Sequence, residues 1–452
     1  MKTVALRSLG CKVNAYETEG MQQILQENGY FVVPFDKKAD IYIVNTCSVT
    51  NIADQKSRQM LHRAKKLNPE AIVVAAGCYV QTGYEKLVED SAIDLIIGNN
   101  EKRNIYDILE EFIRNRDMES QSNAEAKELK YVPDMSDVKE YEEMQVTTMS
   151  EHTRAFIKIQ DGCNRFCTYC VIPYARGRVR SRQIDDVVRE ASALSVRGYQ
   201  EIVLTGIHIS SFGTDRGESE MLELLEKLNM IEGIKRIRLG SLEPGIITEE
   251  FAKALRNISK ICPHFHLSMQ SGSESVLKRM NRHYTPEEYF EKVQILRRVY
   301  DNPAITTDVI VGFPGETEEE YIETYEFCKK VNFYEMHVFK YSRRDGTVAA
   351  GMPDQIAEQT KAMRSDRLIS LGEEMSSTYR KSYFGVSRDV LFEEKKSIAD
   401  REYWVGHTPE YIMCAVPVTE DSKDSEKEYV NHIFAGTIGH AIDGKVVAVE
   451  LR

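Results

Sequence analysis

The chain has 452 residues, 42% of them hydrophobic, and a formal net charge of −12. That length implies two or three domains with sizeable cores, and the charge excludes a surface coated in positive charge while leaving room for a local basic groove. No stretch approaches the ~18–20 apolar residues of a membrane span. The start, MKTVALRSLGC, lacks the apolar run of a signal peptide. A cytoplasmic protein with no membrane partner is expected.

Residues 1–115 alternate short apolar strands with helical patterns. TVALRSL, IYIVN, AIVVAA and DLII read as strands; ETEGMQQILQENG and the stretch from Ile52 to Leu67 read as helices. Such alternation predicts an open parallel α/β sheet domain. Residues 116–152 are acidic and lack apolar periodicity, so a solvated linker or lid is expected. Residues 153–376 resume the alternation with RAFIKIQ, QEIVLTG, IKRIRLGS, HFHLSMQ, AITTDVIVG and YEMHVFKYS as strands, a partial (β/α)6 barrel followed by a helical stretch near 354–382. Residues 377–445 hold short strands such as SRDVLFEE, EYIMCAVPV and HIFAGTIGHAI, with KVVAVELR after them, and read as a small antiparallel β-barrel of the kind that binds nucleic acid. TEDSKDSEKE within it reads as a solvated loop insertion.

Nine cysteines in a chain expected in a reducing compartment point to metal ligation or catalysis wherever thiols cluster. Cys163, Cys167 and Cys170 form C-x3-C-x2-C directly after a predicted strand. Structural zinc wants four protein ligands, and no fourth Cys or His lies nearby. Three thiolates suit a four-iron cluster with one iron left open, although zinc remains an alternative. Cys11, Cys47 and Cys78 each stand just past the carboxyl end of a predicted parallel strand, the edge where ligands of open α/β sheets gather. They are candidates for a second cluster. Cys262, Cys328 and Cys414 read as structural.

The C-x3-C-x2-C loop at the end of the first barrel strand resembles the radical S-adenosylmethionine superfamily. The resemblance implies that Cys163, Cys167 and Cys170 hold a 4Fe-4S cluster whose open iron chelates S-adenosylmethionine and yields a 5′-deoxyadenosyl radical. It also implies cofactor contacts from Tyr169, from Thr205 and Gly206 in VLTGIHI, and from Ser241 and Glu243 in LGSLEP. Gln270 and Ser271 in SMQSGS, and Gly312 and Phe313 in TDVIVGFPGET, complete that set. With the dispersed thiols and the terminal barrel, the whole chain resembles the methylthiotransferases, whose last domain is called TRAM. GCKVNAYETE is similar to the branch acting on N6-threonylcarbamoyladenosine in tRNA, where isopentenyl-adenosine enzymes more typically read G-C-x-M-N.

The resemblance implies two 4Fe-4S clusters, two molecules of S-adenosylmethionine in different roles, and transfer of a methylthio group to C2 of the adenine at position 37. The partners it implies are a tRNA anticodon stem-loop and a flavodoxin- or ferredoxin-like electron donor, with no DNA. Arg176, Arg178, Arg180 and Arg182 after the cysteine loop, and Arg343 and Arg344 in YSRRDGT, are candidates for phosphate or carboxylate contacts. The alternatives are an isopentenyl-adenosine or ribosomal-protein substrate, or a non-catalytic zinc or redox RNA-binding module.

Overall fold

The computed structural model describes residues 2–119, 131–149, 153–419 and 426–452. The first unit is a parallel sheet in the order β2-β1-β3-β4-β5. Its strands are β1 (Thr3–Ser8), β2 (Phe31–Val32), β3 (Ile41–Thr46), β4 (Ile72–Gly77) and β5 (Leu95–Ile97). β3 and β4 are buried along their whole length, as unbroken apolar runs require when helices cover both faces. That cover comes from α1 (Lys12–Glu27), α2 (Asn51–Leu67), α3 (Cys78–Val88) and α4 (Ile105–Glu119).

The acidic stretch expected as a solvated linker is, over 131–149, a packed strap. Tyr131 adds one parallel bridge to Ile97 at the sheet edge. Met135, Met144, Val146 and Met149 are buried, and the Tyr16 hydroxyl of α1 donates to the Met144 carbonyl at 2.6 Å. Four apolar side chains buried without periodicity hold the strap down; each contributes roughly 1.5–3 kcal/mol when fully removed from water. Residues 120–130 and 150–152 of that stretch lie outside the described residues.

The second unit is a partial barrel of six parallel strands: β6 (Ala155–Asp161), β8 (Glu201–Gly206), β9 (Arg236–Leu239), β10 (His264–His266), β11 (Ala304–Val311) and β12 (Glu335–Lys340), with β7 (Arg180–Ser181) antiparallel on the outer edge of β6. Single bridges, Ile237 to Ile261 and Leu242 to Leu267, carry the barrel from β9 to β10. α5 (Ile172–Arg176) and α6 (Ile184–Val196) follow β6 and β7. α1 packs against β6 and β8, and one apolar core runs from Tyr16, Met21 and Leu25 through the strap into Ile157, Val187 and Leu204. The first domain is thus docked on the barrel's open side.

The third unit is a closed barrel in the order β13-β14-β15-β17-β16, formed by β13 (Ser387–Ile398), β14 (Arg401–His407), β15 (Met413–Pro417), β16 (Ile433–Ala441) and β17 (Val447–Leu451). It is antiparallel except for the β15–β17 pair. β14, with the buried Trp404 at its centre, was not expected as a strand, and β17 runs beyond the expected end at residue 445. Most of the acidic insertion expected at 419–428 lies outside the described residues. Among the described residues no helix is long and apolar enough to cross a membrane.

The terminal barrel seals the amino-terminal mouth of the partial barrel. Arg236 donates to the His407 carbonyl and Arg238 to the Pro409 carbonyl, each at 2.9 Å, and Tyr411 stacks on His264 at 5.1 Å. Glu201 anchors both arginines. Burial pushes its carboxyl up, but Arg238, Arg154 and Arg236 outweigh it and hold Glu201 down at about 2. A depressed carboxyl lends stability that is complete above its ordinary pKa of 4.5 and is lost as pH falls toward 2. The expected loss is about 3 kcal/mol across that window in the native chain and much less in Glu201→Gln, measured by denaturant unfolding at a series of pH values.

Candidate active site

Three strand ends deliver Cys11, Cys47 and Cys78 to one place, Cys11 and Cys78 each at a helix start. Cys11 caps α1, Cys78 opens α3, and Cys47 lies between β3 and α2. The exposed N–H groups and dipole at such ends favour sulfur in its anionic form. Gly10, at φ 92°, lets this meeting occur: a Cβ there would lie 2.5 Å from the Cys47 sulfur. Burial pushes the Cys47 thiol up to about 12, and the neighbouring Cys78 and Cys11 add to the rise. Cys11 is raised by burial too.

The second thiol set sits on the loop after β6. Its main chain is pinned from several sides: Cys163 N donates to the Gly177 carbonyl at 3.0 Å, Thr168 N to Met280 at 3.1 Å, and Ala349 N to Thr168 at 2.9 Å. Phe166 is held at φ 47°, a left-handed conformation that a bulky residue keeps only under such constraint. Gly162 is also required, since a Cβ there would overlap the Arg178 carbonyl oxygen at 1.8 Å. Arg165 N and Arg282 Nη1 each donate to a sulfur at 3.4 Å, of Cys163 and Cys167 respectively. Burial raises the Cys170 thiol to about 12 with help from Cys167, and raises Cys163.

In neither thiol set do all three sulfurs lie within 4.8 Å of one another; among the described residues only His266, Asp308 and His337 form so tight a set. The thiols also raise one another electrostatically. A wide, cationic group suits such donors better than one small ion. Cys163, Cys167 and Cys170 would hold one iron–sulfur cluster, and Cys11, Cys47 and Cys78 the other.

One buried ion network joins the two sets. Arg176, fully buried, uses all five of its N–H donors: Nε to the Cys78 sulfur at 3.1 Å, Nη1 to Glu17 at 2.8 Å and Asp161 at 3.0 Å, and Nη2 to Asn14 at 2.8 Å and Glu17 at 3.1 Å. Lys158 bridges Glu17 at 2.7 Å and Asp161 at 2.5 Å, and Lys102 pairs with Glu17. Asp161 ends β6, two residues before Cys163, and Glu17 lies on the helix that Cys11 caps. Asn14 and Glu17 lie in the GCKVNAYETE motif, but nothing in the sequence assigned them, Lys102 or Lys158 to such a network.

The structure corrects several expectations for the basic run. Arg176 is internal, so RNA cannot touch it. Arg180 is buried and donates to the carbonyls of Arg176 and Arg178, and Arg182 is buried against Glu143 and Glu190. Arg344 is also buried, clamping Asp54 at 2.6 Å, Asn51 at 2.7 Å and Ser48 at 2.8 Å, which ties the Cys47 loop to the barrel. Arg178, with its guanidinium over the Phe166 ring at 4.4 Å, and Arg343 are exposed.

The expected cofactor contacts divide in the same way. Thr205 and Gly206 end β8, Ser241 is exposed on the loop after β9, and Tyr169 is half-buried beside Cys170. Gln270, at φ 69°, is fixed by main-chain bonds to Asp308 and Ile310. Glu243 pairs with His208 at 3.0 Å and with Arg165, so it holds the cysteine loop to β9. Burial raises its carboxyl, and His208, Arg282 and Arg165 together bring it below the usual range. Ser271 is fully buried against Thr324 at 3.1 Å, and the Phe313 ring is fully buried edge-on to Tyr341 at 5.6 Å; both pack the interior instead of facing a ligand. Gly312 makes its close approach to Lys361, where a Cβ would lie 2.3 Å from Cγ.

Known proteins resemble this chain in sequence and in fold. The Radical SAM superfamily profile matches residues 157–328, and that of uncharacterized protein family UPF0004 matches residues 3–98. A solved structure of the radical S-adenosylmethionine methyltransferase TsrM from Kitasatospora setae superposes with a TM-score of 0.56 at 16% identity, covering 88% of this chain and 79% of that one, which supports the fold. The chain is therefore a radical S-adenosylmethionine enzyme. It is 41% identical to threonylcarbamoyladenosine tRNA methylthiotransferase MtaB of Bacillus subtilis (strain 168), over 93% of this chain and 92% of that one. It is 36% identical to tRNA-2-methylthio-N(6)-dimethylallyladenosine synthase of Thermodesulfovibrio yellowstonii, over 99% of each. The chain belongs to the radical S-adenosylmethionine tRNA methylthiotransferase family.

Proposed function

We propose that this enzyme transfers a methylthio group to C2 of N6-threonylcarbamoyladenosine at position 37 of tRNA, 3′ of the anticodon. The observation that carries the reading is the pair of thiol sets joined through Arg176, one on each domain of the docked unit. When bound, the group at Cys163, Cys167 and Cys170 supplies a radical able to act on an aromatic C–H, and the group at Cys11, Cys47 and Cys78 supplies sulfur. The residues themselves bind, orient and shield. The α1–β6 network fixes the separation of the two sets, and Glu243 and Arg282 steady the cysteine loop.

The base must leave the helical stack to enter, as an anticodon loop permits. Arg178 and Arg343, exposed near the two cysteine loops, suit the phosphates of the stem-loop, and the terminal barrel suits RNA of the same stem. Thr205, Gly206, Ser241 and the Gln270 main chain remain the candidates for the cofactor. A flavodoxin- or ferredoxin-like donor in the cytoplasm would supply electrons.

Liquid chromatography with mass spectrometry of tRNA nucleosides tests the reading. A deletion strain should lose 2-methylthio-N6-threonylcarbamoyladenosine and accumulate its unthiolated parent, and the gene should restore it. Full retention of the modified nucleoside, with no second enzyme present, would end the proposal.

A further inference from the structure

The lumen of the partial barrel carries a polar set that the two cysteine sites do not use. Strand parity gives its direction. On β10 the Phe265 ring packs against Tyr300 in the core outside the barrel, so His264 and His266 turn inward. On β11 Val309 and Val311 join the same outer core, so Thr306 and Asp308 turn inward. The parallel register then sets His337 of β12 directly beside Asp308, and Thr306 beside His266.

Ligand atoms of His266, Asp308 and His337 lie within 4.8 Å of one another. His266 Nδ1 meets Thr306 Oγ1 at 3.1 Å, whereas its buried Nε2 has no hydrogen bond and lies 3.4 Å from Asp308 Oδ2. The two histidine rings stack at 5.9 Å. Among the described residues no side chain hydrogen-bonds the Asp308 carboxylate or the His337 ring.

Lys12 reaches the same lumen from the opposite side. It adjoins Cys11, at the end of the helix that packs on β6 and β8. Its ammonium lies in the electrostatic field of Arg154, Arg238, Glu201 and the lumen residue His264. Among the described residues it has neither an ion pair nor a hydrogen bond. An ammonium without an ion pair among the described residues, a carboxylate met only by His266 at 3.4 Å and the exposed ring of His337 thus face one lumen.

We infer that Lys12, His266, Asp308 and His337 form the subsite for a polar, carboxylate-bearing substituent on N6 of the target adenine. The inference rests on the threonylcarbamoyl reading above. Lys12 receives the carboxylate of that substituent. Asp308 accepts from its hydroxyl or amide N–H groups, and the imidazoles serve its remaining polar atoms. An isopentenyl chain would offer Lys12, Asp308 and His337 no hydrogen-bond partner, and a site built to hydrogen-bond a substrate strongly rejects the analogue that lacks the partner.

The test uses cluster-loaded wild type with Lys12→Met, Asp308→Asn and His337→Gln, and anticodon stem-loops carrying either N6-threonylcarbamoyladenosine or N6-isopentenyladenosine. Each substitution should lower kcat/KM on the threonylcarbamoyl RNA by about tenfold or more, mainly through KM, and narrow the preference over the isopentenyl RNA. Iron content and uncoupled cleavage of S-adenosylmethionine should stay at the wild-type level. His337 is exposed, so its variant carries the test even if Asp308→Asn loads poorly. Unchanged selectivity in the variants overturns the subsite. So does stoichiometric binding of Zn2+ or Mn2+ that Asp308→Asn abolishes, which would make the set a cation site. A wild type that prefers isopentenyl RNA fails the substrate reading itself, and that result is visible without any variant.

Discussion

Cys163→Ala, purified anaerobically, should form no 5′-deoxyadenosine from S-adenosylmethionine above background. Cys47→Ala should still form it and yield no methylthiolated adenine. The separation follows from the two supports. The Cys163 loop is pinned by Gly177, Met280 and Ala349 of the barrel, whereas Cys47 hangs from β3 beside Gly10 and Cys11. Losing one of three ligands should empty or cripple its own site alone. Wild type should carry about eight irons and each variant about half. Equal loss of cleavage in both variants would mean the two sets do not play separate roles. Stoichiometric zinc without iron would favour a non-catalytic RNA-binding module.

The cysteines were legible because their signal is positional. Cys11, Cys47 and Cys78 share no spacing, yet each follows an apolar run, and a parallel sheet carries the ends of such runs to one edge. The same logic exposed the six barrel strands. The strap at 131–149 was not legible, since Met135, Met144, Val146 and Met149 stand among acidic residues without a period of two or 3.6. The basic run misled for another reason. Arg176 meets Glu17 across 159 residues of sequence and Arg182 meets Glu143 across 39, and local patterning cannot distinguish a buried paired arginine from an exposed one. The lumen set was within reach of parity: His264 and His266 flank Phe265, and Asp308 alternates with Thr307 and Val309, which places imidazoles and a carboxylate on the inward face.

The second large effect concerns Arg176. Its replacement by Met should lower stability by about 3–5 kcal/mol, because Glu17 and Asp161 would stay buried with part of their counter-charge gone. Glu17 is held far below the usual carboxylate range although burial opposes it; Arg176 is the largest of the cations that outweigh burial, ahead of Lys102 and Lys158. Arg176→Lys would keep a charge but could not span Cys78, Asn14, Glu17 and Asp161 at once, since an ammonium lacks the planar fork. It should therefore fall between wild type and Met. Removing the facing carboxylate as well, in Arg176→Met with Glu17→Gln, should cost less than the sum of the single changes, because both act on one network. Urea unfolding of wild type, Arg176→Met, Arg176→Lys, Glu17→Gln and the double variant, with iron counted per chain, decides the matter. Wild-type stability together with wild-type iron in Arg176→Met would show that the thiol sets are held in register by the apolar core between α1 and the barrel, and that the network is incidental to it.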